Sequence, residues 1–402
     1  MSLLIKNARL RSDYRNHKIY LQNGIVSSID GKEKEAEKEI DVMGSLLTES
    51  YVIAHLHLDK VYTYSMAGEK TLKKYQGGKD TVSAIKQASK IKESLDEHIM
   101  YKNASRALNE ALSFGVSAIR AFADVDNVIE LKGIGTLIRL KKEFSKKIEI
   151  QVVAFPQEGL TNVDGIEELI EKAVEEGADV VGGIPWIEKL KEQKEKHVEK
   201  ILQIAVKHKK DVAMLVDDCC SPSSKTLEML AKETVRMGWI GRVQACHARS
   251  MQLYDKSYLK KLIALCRSAG ISFVINPHTG PCNAPVERLI REGITVALGQ
   301  DDCCDAYYPF GRCKMTEVAF LASHILRMMS PRDLEILYDM ITLNPAKAIG
   351  LRGFGIAKGN PARMVILPVK SVYEAIWHQA EPVAIINRED VLQLKEFSLG
   401  EA

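Results

Sequence analysis

The stretch Tyr51-Val-Ile-Ala-His55-Leu-His57-Leu-Asp59-Lys60 decides the fold. Its apolar and β-branched start predicts a buried strand, and that strand ends in two histidines spaced two residues apart. Because successive side chains of a strand alternate between faces, His55 and His57 point the same way, about 6.5 Å apart. Two imidazoles at one strand end suit a divalent metal ion. The alternative is a pair of hydrogen-bonded core histidines.

The composition is that of an ordinary globular protein. The chain has 402 residues, of which 46% are apolar and 27% are charged, so it can form one large domain or two. A net charge of +3 without a dense Lys/Arg tract argues against nucleic acid or a membrane surface as partner. No signal-peptide pattern and no apolar run of 18 residues is present, which predicts a cytoplasmic protein. A small-molecule substrate is the expected partner, and self-association is left open.

All eight cysteines lie after residue 218, and none forms a CxxC motif. In a chain expected to be cytoplasmic, this pattern predicts thiols rather than a disulfide framework. Several cysteines lie near predicted strand ends, which leaves thiolate binding of a metal open. The alternative is that they are small buried apolar side chains.

The two ends of the chain have similar patterns. Residues 1–50 contain short apolar runs separated by turn residues, and residues 351–402 contain two more, at 363–367 and 382–386. The ends are therefore predicted to pair as one small β domain. Residues 51–350 then form a separate unit between them.

This middle part alternates between apolar runs and amphipathic segments. The runs have five to seven residues and begin near positions 51, 116, 149, 179, 211, 242, 272 and 294. Several intervening segments are long enough for helices and end in glycine, the usual residue after a helix C-terminus. Eight strand-helix units predict an α/β fold, a (β/α)8 TIM-type barrel. A doubly wound open sheet is the competing topology.

In such a barrel, chemistry gathers where the strands end. Polar, ionisable or aromatic residues occur at nearly every predicted strand end: His55, His57, Arg120, Asp124, Gln157, Trp186, Asp217, Asp218, His247, His278, Asp301 and Asp302. Arg120 and Trp186 are candidates for substrate contact from this position. An alternative for Arg120 is an ion pair with Asp124.

His55, His57 and Asp301 are the predicted metal ligands. Strands one and eight are neighbours in a closed barrel, so the two imidazoles and the carboxylate converge. A metal held in this way lowers the pKa of bound water to about 7 and activates it for attack. The alternative for Asp301 and Asp302 is that they are helix-capping or turn residues.

Three further residues are candidates for the reaction itself. Asp218 is the predicted proton shuttle, and His247 would polarise the attacked centre or hold the water. Gln157 both donates and accepts hydrogen bonds, as recognition of an amide-like or amidine-like edge requires. The alternatives are that Asp217 and Asp218 cap the helix predicted from Ser224 and that His247 is a core histidine.

Taken together, the motifs resemble the cytosine deaminase-like branch of the amidohydrolase superfamily over nearly the whole chain. The segments that carry the resemblance are His55-Leu-His57-Leu-Asp59-Lys60 (HxHLDK), Val153-Ala-Phe-Pro-Gln157-Glu-Gly159 (AFPQ(D/E)G), Val181-Gly-Gly-Ile-Pro185 (GGxP), Gly299-Gln-Asp301-Asp302 with Asp305 to Gly311 (GHDD…DxxYPxG), and Gly359-Asn-Pro-Ala-Arg-Met-Val-Ile (GxPADLVVL). HxH alone is a weak signal, whereas these motifs in this order are specific.

The resemblance implies a (β/α)8 barrel, a flanking β domain from both termini and one divalent metal ion, Zn or Fe. It implies hydrolysis of a C–N bond in a cyclic amidine or amide. By position, His55 and His57 match the first two metal ligands and Asp301 the ligand after strand eight. Gln157 matches a ring-recognising glutamine, and His247 matches the histidine of strand six. Asp302 matches a carboxylate that faces substrate.

The chain departs from the family pattern at three positions. Leu215 stands where a metal-binding histidine is expected, Asp218 where a catalytic glutamate is expected, and Phe122 where another histidine is expected. The predicted function is deamination of a cytosine-like ring by metal-activated water. The alternatives are hydrolysis of a cyclic amide or of an N-alkyl amine, and a relative that binds a ligand without turnover.

Overall fold

The computed structural model describes residues 2–31, 35–68, 90–388 and 390–394. The chain divides into two compact units, each made of more than one segment. The first consists of Met1–Val52, Asn109–Ala118 and Cys313–Ala402, and the second of Ile53–Leu108 and Ile119–Arg312.

The first unit contains a sheet built from both ends of the chain. Its strands, numbered in chain order, are β1 (Ser2–Leu10), β2 (Asn16–Gln22), β3 (Ile25–Ile29), β4 (Lys38–Asp41), β5 (Leu46–Glu49), β14 (Arg363–Leu367), β15 (Ala384–Asn387) and β16 (Asp390–Leu394). The order is β16-β15-β14-β5-β1-β2-β3, with β4 beside β1. β14 runs antiparallel to β5, with Ile366 opposite Leu47. The predicted small β domain formed by both termini is therefore confirmed.

Alternation of side chains explains how this sheet buries its core. Leu3 and Ile5, two residues apart on β1, are both buried in one apolar cluster that also contains Ile19 and Leu47. The helices of this unit after residue 313 are α8 (Met315–Ile325), α9 (Pro331–Asp339), α10 (Leu343–Ala348) and α11 (Val372–Trp377).

Most of the parallel sheet that the sequence predicts lies in the second unit. Its strands are β6 (Tyr51–His57), β7 (Val116–Asp124), β8 (Glu149–Phe155), β9 (Val180–Gly183), β10 (Asp211–Val216), β11 (Val243–His247), β12 (Ser272–Ile275) and β13 (Val296–Leu298), and they neighbour one another in chain order. Leu56 of β6 forms a parallel bridge with Asp301, just after β13. The backbone N–H of His57 donates to the Asp301 carbonyl at 2.8 Å. These bonds close the sheet into the predicted barrel.

Helices connect the strands, as the amphipathic segments predict. They are α1 (Glu97–Ser113), α2 (Lys132–Glu143), α3 (Ile166–Glu176), α4 (Lys191–Lys207), α5 (Thr226–Arg236), α6 (Lys256–Ser268) and α7 (Val286–Arg291). Gly177 follows α3 with φ 123°, a backbone conformation that favours glycine. In the described ranges, no helix combines the length and the apolar character needed to cross a membrane.

One expectation about the cysteines needs correction. Cys220 and Cys282 form a disulfide with their Cα atoms 5.8 Å apart, although 62 residues separate them in the chain. Cys220 lies in the loop after β10 and Cys282 in the loop after β12, so the barrel topology brings the two thiols together. Sequence spacing carried no sign of this pairing. No other disulfide occurs among the described residues.

Candidate active site

Three strands of the barrel end in residues with an unusual backbone conformation. Asp217, His247 and Asp301 follow or end β10, β11 and β13 with φ of 50°, 65° and 64°. A positive φ is uncommon for residues other than glycine, and such conformations concentrate at functional sites. The left-handed turn redirects each side chain at the point where its strand leaves the sheet.

Two histidines of β6 and the aspartate after β13 meet at one point. Asp301 Oδ1 lies 3.0 Å from His55 Nε2 and 3.9 Å from His57 Nε2. The imidazole centroids of His55 and His57 are 5.1 Å apart. All three side chains are buried. Residues 55, 57 and 301 thus come together as the sequence predicts, because the bridge between β6 and the end of β13 sets their register.

The donor chemistry of this cluster fits a divalent metal ion. Both ring nitrogens of His55 and the Nδ1 atom of His57 lack a hydrogen-bond partner within the described part of the chain. Buried polar atoms are normally paired, so unpaired imidazole nitrogens beside a buried carboxylate indicate a missing positive partner. Burial lowers the pKa of His57, whereas Cys246 and Asp301 outweigh the effect of burial and raise the pKa of His55 to about 9.

His247 approaches the same carboxylate from β11. Its Nε2 lies 3.7 Å from Asp301 Oδ1 and has no hydrogen-bond partner among the residues described. Its ring centroid is 5.2 Å from that of His55. Burial lowers the pKa of His247 to about 4, so the imidazole is neutral at pH 7.

The two consecutive aspartates after β10 have different surroundings. The carboxylate of Asp217 accepts hydrogen bonds from Thr226 N at 2.7 Å, Leu227 N at 3.2 Å and the Tyr254 hydroxyl at 2.7 Å. It therefore caps the amino-terminal turn of α5. Asp218 instead lies beside the histidines and accepts a hydrogen bond from Arg249 Nε at 2.6 Å. The capping alternative holds for Asp217 and not for Asp218.

Gln157 faces the histidines from the loop after β8, and a partly buried lysine fixes its amide. Lys60 Nζ donates to Gln157 Oε1 at 3.0 Å and to Asp124 Oδ1 at 3.1 Å. An ammonium group only donates, so the amide oxygen of Gln157 must face Lys60. Burial opposes the charge of Lys60, but Asp124 and Asp59 raise its pKa above the ordinary value. The sequence assigned no role to Lys60, and the structure places its ammonium group in the pocket lining.

A pocket of about 380 Å³ of empty space joins these groups. Its lining consists of His57, Lys60, Gln157, Leu215, Asp218, His247, Asp301, Asp302 and Tyr307. Burial raises the pKa of Asp302, and the nearby carboxylates of Asp305 and Asp301 add to the effect.

Two predicted substrate contacts need correction, and the first is Arg120. Its guanidinium is buried and donates to the Gln151 and Gln244 side chains at 2.8–3.0 Å. Gln151 and Gln244 lie near the starts of their strands, so Arg120 points toward the opposite end of the barrel. The alternative, an ion pair of Arg120 with Asp124, is not formed. The Asp124 carboxylate instead pairs with Lys60 and Lys92, whose Nζ atoms lie 3.1 and 2.8 Å from it.

The second correction concerns Trp186. Its indole packs in an apolar cluster with Phe122, Phe155 and Leu215, and it does not belong to the pocket lining. Leu215 belongs to both the apolar cluster and the pocket lining, so Trp186 packs behind the apolar part of the pocket wall. Phe122 lies 4.2 Å from the His55 ring, centroid to centroid, where it packs against the predicted metal ligand.

Sequence reasoning missed Arg249 and gave no role to Tyr307. Tyr307 occupies an unspecified position of the DxxYPxG segment, directly before the motif tyrosine, so the family resemblance carried no signal for it. Arg249 lies in the short 3₁₀ helix that follows β11, two residues after His247. Only its position after a strand end could have suggested a role.

Comparisons with known proteins agree with this architecture. A family model described as "Amidohydrolase family" matches residues 54–385. An N-isopropylammelide isopropyl amidohydrolase from Pseudomonas sp. (strain ADP) is 28% identical over 97% of this chain and 96% of its own length. A pterin deaminase from Rhizobium rhizogenes is 23% identical over 93% of this chain and 87% of its own. The structure of 5-methylcytosine deaminase from Klebsiella pneumoniae with phosphonocytosine superposes with a TM-score of 0.90 at 29% identity, covering 100% of both chains.

Proposed function

This chain belongs to the amidohydrolase family, in its cytosine deaminase-like branch, and we propose that it deaminates a small cytosine-like nitrogen heterocycle. That it is a hydrolase of C–N bonds follows from the family and from relatives that cover nearly the whole chain. One observation carries the finer proposal. His57, Asp301, Asp218 and Gln157 line the same pocket.

The proposed metal ligands are His55, His57 and Asp301. Their unpaired nitrogens and buried carboxylate provide a His₂Asp donor set, and catalytic metal sites commonly use three protein ligands. Leu215 offers no donor atom, so the strand-five position expected to hold a histidine does not contribute. A bound divalent metal, Zn or Fe, would supply Lewis-acid activation of water.

Asp218 and His247 are proposed to carry the proton and charge changes of the reaction. Water adds to the ring carbon that bears the amino group, and Asp218 takes the proton that the water loses. Asp218 then delivers a proton to the leaving amine, so the products are the ring carbonyl compound and ammonia. His247 Nε2 lies on the Asp301 side of the pocket, where it can donate a hydrogen bond to the developing oxyanion.

The amide of Gln157 is proposed to recognise the ring edge. Because Lys60 occupies its oxygen, the amide nitrogen is the group left to face substrate, and it donates. A hydrogen-bond donor at this position favours a substrate with a ring carbonyl or an unprotonated ring nitrogen there. Cytosine-like rings offer such an acceptor beside the carbon that carries the amino group.

Replacing Lys60 with methionine tests this recognition. Lys60→Met removes the group that orients the Gln157 amide, so we expect KM to rise by about tenfold, the equivalent of one lost hydrogen bond. kcat should change less, because the groups that move protons remain. Lys92 still pairs with Asp124, which preserves the fold. Steady-state kinetics measure the two constants.

The matched control for this prediction is Lys141→Met. Lys141 also pairs with an aspartate, Asp179, but it lies outside the pocket lining. Its replacement should leave both constants unchanged. A KM for Lys60→Met equal to that of the control would contradict the proposed recognition.

A second candidate function is release of an alkylamine from a triazine-like ring. The relative named N-isopropylammelide isopropyl amidohydrolase is 28% identical over 97% of this chain, which favours this alternative. The chemistry at the ring carbon is the same, and only the leaving group is larger.

A substrate panel separates the two functions. The purified, metal-loaded protein is incubated with cytosine, 5-methylcytosine, pterin and N-isopropylammelide, and released ammonia and isopropylamine are measured separately. We expect ammonia from a pyrimidine, with kcat/KM at least about tenfold above that for the other rings. Isopropylamine release as the dominant activity would instead establish the second candidate. Without turnover of any of these compounds, the deaminase proposal fails.

A further inference from the structure

Arg249 is a buried arginine between the two residues proposed to move protons and stabilise charge. Its Nε donates to Asp218 Oδ1 at 2.6 Å, and its Nη2 lies 3.3 Å from His247 Nδ1. We propose that Arg249 is a positioning residue that holds His247 in the tautomer with its hydrogen on Nε2, while it directs the Asp218 carboxylate toward the pocket. This inference rests on the proposed function, because it concerns the same site.

The donor inventory of arginine fixes the tautomer. A guanidinium group has five N–H donors and no acceptor, so His247 Nδ1 must accept the hydrogen bond from Arg249. A nitrogen that accepts carries no hydrogen. The imidazole hydrogen is therefore on Nε2, which is the atom 3.7 Å from Asp301 Oδ1.

The other neighbour of Nδ1 does not decide the tautomer. Asn276 Nδ2 lies 3.4 Å from His247 Nδ1, and Asn276 Oδ1 is buried without a hydrogen-bond partner among the described residues. A rotated Asn276 amide would offer its oxygen instead, so this side chain suits either tautomer. Arg249 suits only one of them.

The tautomer also decides between two roles for His247. A ring nitrogen that carries hydrogen donates a hydrogen bond and does not bind a cation. Although the ligand atoms of His55, His247 and Asp301 lie within 4.8 Å of one another, His247 is therefore assigned as a hydrogen-bond donor. The metal set remains the three residues His55, His57 and Asp301.

Hydrogen-bond acceptors and a glycine enclose the guanidinium of Arg249. Nη2 also donates to Thr279 Oγ1 at 2.7 Å and to the Asn276 carbonyl at 3.2 Å, and Nη1 donates to the Cys282 carbonyl at 3.2 Å. The Thr279 hydroxyl in turn donates to Asp301 Oδ2 at 2.6 Å, which links Arg249 to the metal cluster. A Cβ atom on Gly280 would lie 2.6 Å from Arg249 Cζ, so glycine leaves the space that the guanidinium fills.

Nitrogen NMR of the imidazoles tests the tautomer without any substrate. Long-range ¹⁵N–¹H spectra of protein labelled at histidine are recorded with and without zinc, and His247→Gln assigns the His247 signals. We expect a protonated Nε2 and a bare Nδ1 in the wild-type protein. Gly280→Ala keeps every polar group but displaces the guanidinium, and Arg249→Met removes it. Both variants should populate the other tautomer.

Kinetics and metal content complete the test. In both variants we expect kcat to fall on the order of 10²-fold, the usual effect of losing one preorganised donor, with unchanged zinc stoichiometry. Arg242→Met is the matched control, because Arg242 pairs with Asp211 at the start of β10 and should leave tautomer and kcat unchanged.

Two outcomes would overturn the inference. One is a wild-type protein whose His247 carries its hydrogen on Nδ1. The other is a wild-type tautomer and kcat in both Gly280→Ala and Arg249→Met. Failure of the substrate panel would remove the proposed reaction but would leave the NMR result standing, so the two failures are distinguishable.

Discussion

Asp301→Asn is expected to abolish turnover, with kcat/KM lower by on the order of 10³-fold or more, and to reduce bound metal. The substitution keeps the size of the side chain and removes its charge. Asparagine tolerates the positive φ of 64° at this position, and its oxygen can still accept from the Thr279 hydroxyl. A loss of turnover and of bound metal would therefore be due to the missing charge of the proposed ligand carboxylate beside His55 and His57. Metal analysis after dialysis and steady-state kinetics are the measurements.

The matched control is Asp217→Asn, which changes another buried aspartate at a strand end with positive φ, 50°. The carboxylate of Asp217 accepts hydrogen bonds from the start of α5 and from the Tyr254 hydroxyl, and an amide nitrogen would face those donors. We expect the free energy of unfolding to fall by about 1–3 kcal/mol while metal content is kept. Normal metal content and activity in Asp301→Asn would show that residue 301 is not a ligand.

Asp218→Asn is expected to lower kcat by about 10²–10⁴-fold, the usual contribution of a positioned general acid or base. Asparagine occupies the same space but cannot carry a proton between water and the leaving amine. Metal content should stay at the wild-type value, because Asp218 is not one of the proposed ligands. Single-turnover kinetics with the best substrate of the panel isolate the chemical step.

Asp218→Glu is the conservative comparison for this prediction. It retains a carboxylate, and a glutamate is what the family resemblance expects at this position, so it should recover a large part of the rate that the asparagine variant loses. Equal losses in Asp218→Asn and Asp218→Glu would mean that the carboxylate matters only for packing against Arg249. An unchanged rate in Asp218→Asn would assign the proton transfer to another residue.

The sequence was informative wherever a local pattern decides the structure. Apolar runs that alternate with amphipathic segments predicted all eight barrel strands, because a parallel strand buried on both faces requires a continuous apolar segment. The position of residues at strand ends predicted which side chains meet. His57, Gln157 and Asp301 do line one pocket, and His55 lies beside Asp301. Strand-end position alone was not sufficient for Arg120, whose side chain points toward the other end of the barrel.

The direction in which a side chain points depends on contacts far along the chain, and these were not predictable. Asp217 and Asp218 are neighbours with the same chemistry, yet one caps a helix and the other faces the pocket. The role of Lys60 depends on its hydrogen bonds to Asp124 and Gln157, which only the folded chain brings within reach. Likewise, 62 residues separate Cys220 from Cys282, and only the folded barrel joins them.

The amino-acid sequence by itself determined the barrel, the β domain of both termini, the family and the convergence of residues 55, 57 and 301. The barrel and the β domain follow from the hydrophobic pattern, the family from short motifs, and the convergence of the three residues from their positions at strand ends. Only the tertiary structure provided the contacts behind the proposed tautomer of His247 and the proposed substrate contact of Gln157. Those proposals depend on the charges of Arg249 and Lys60, because a cation that only donates forces its neighbour to accept.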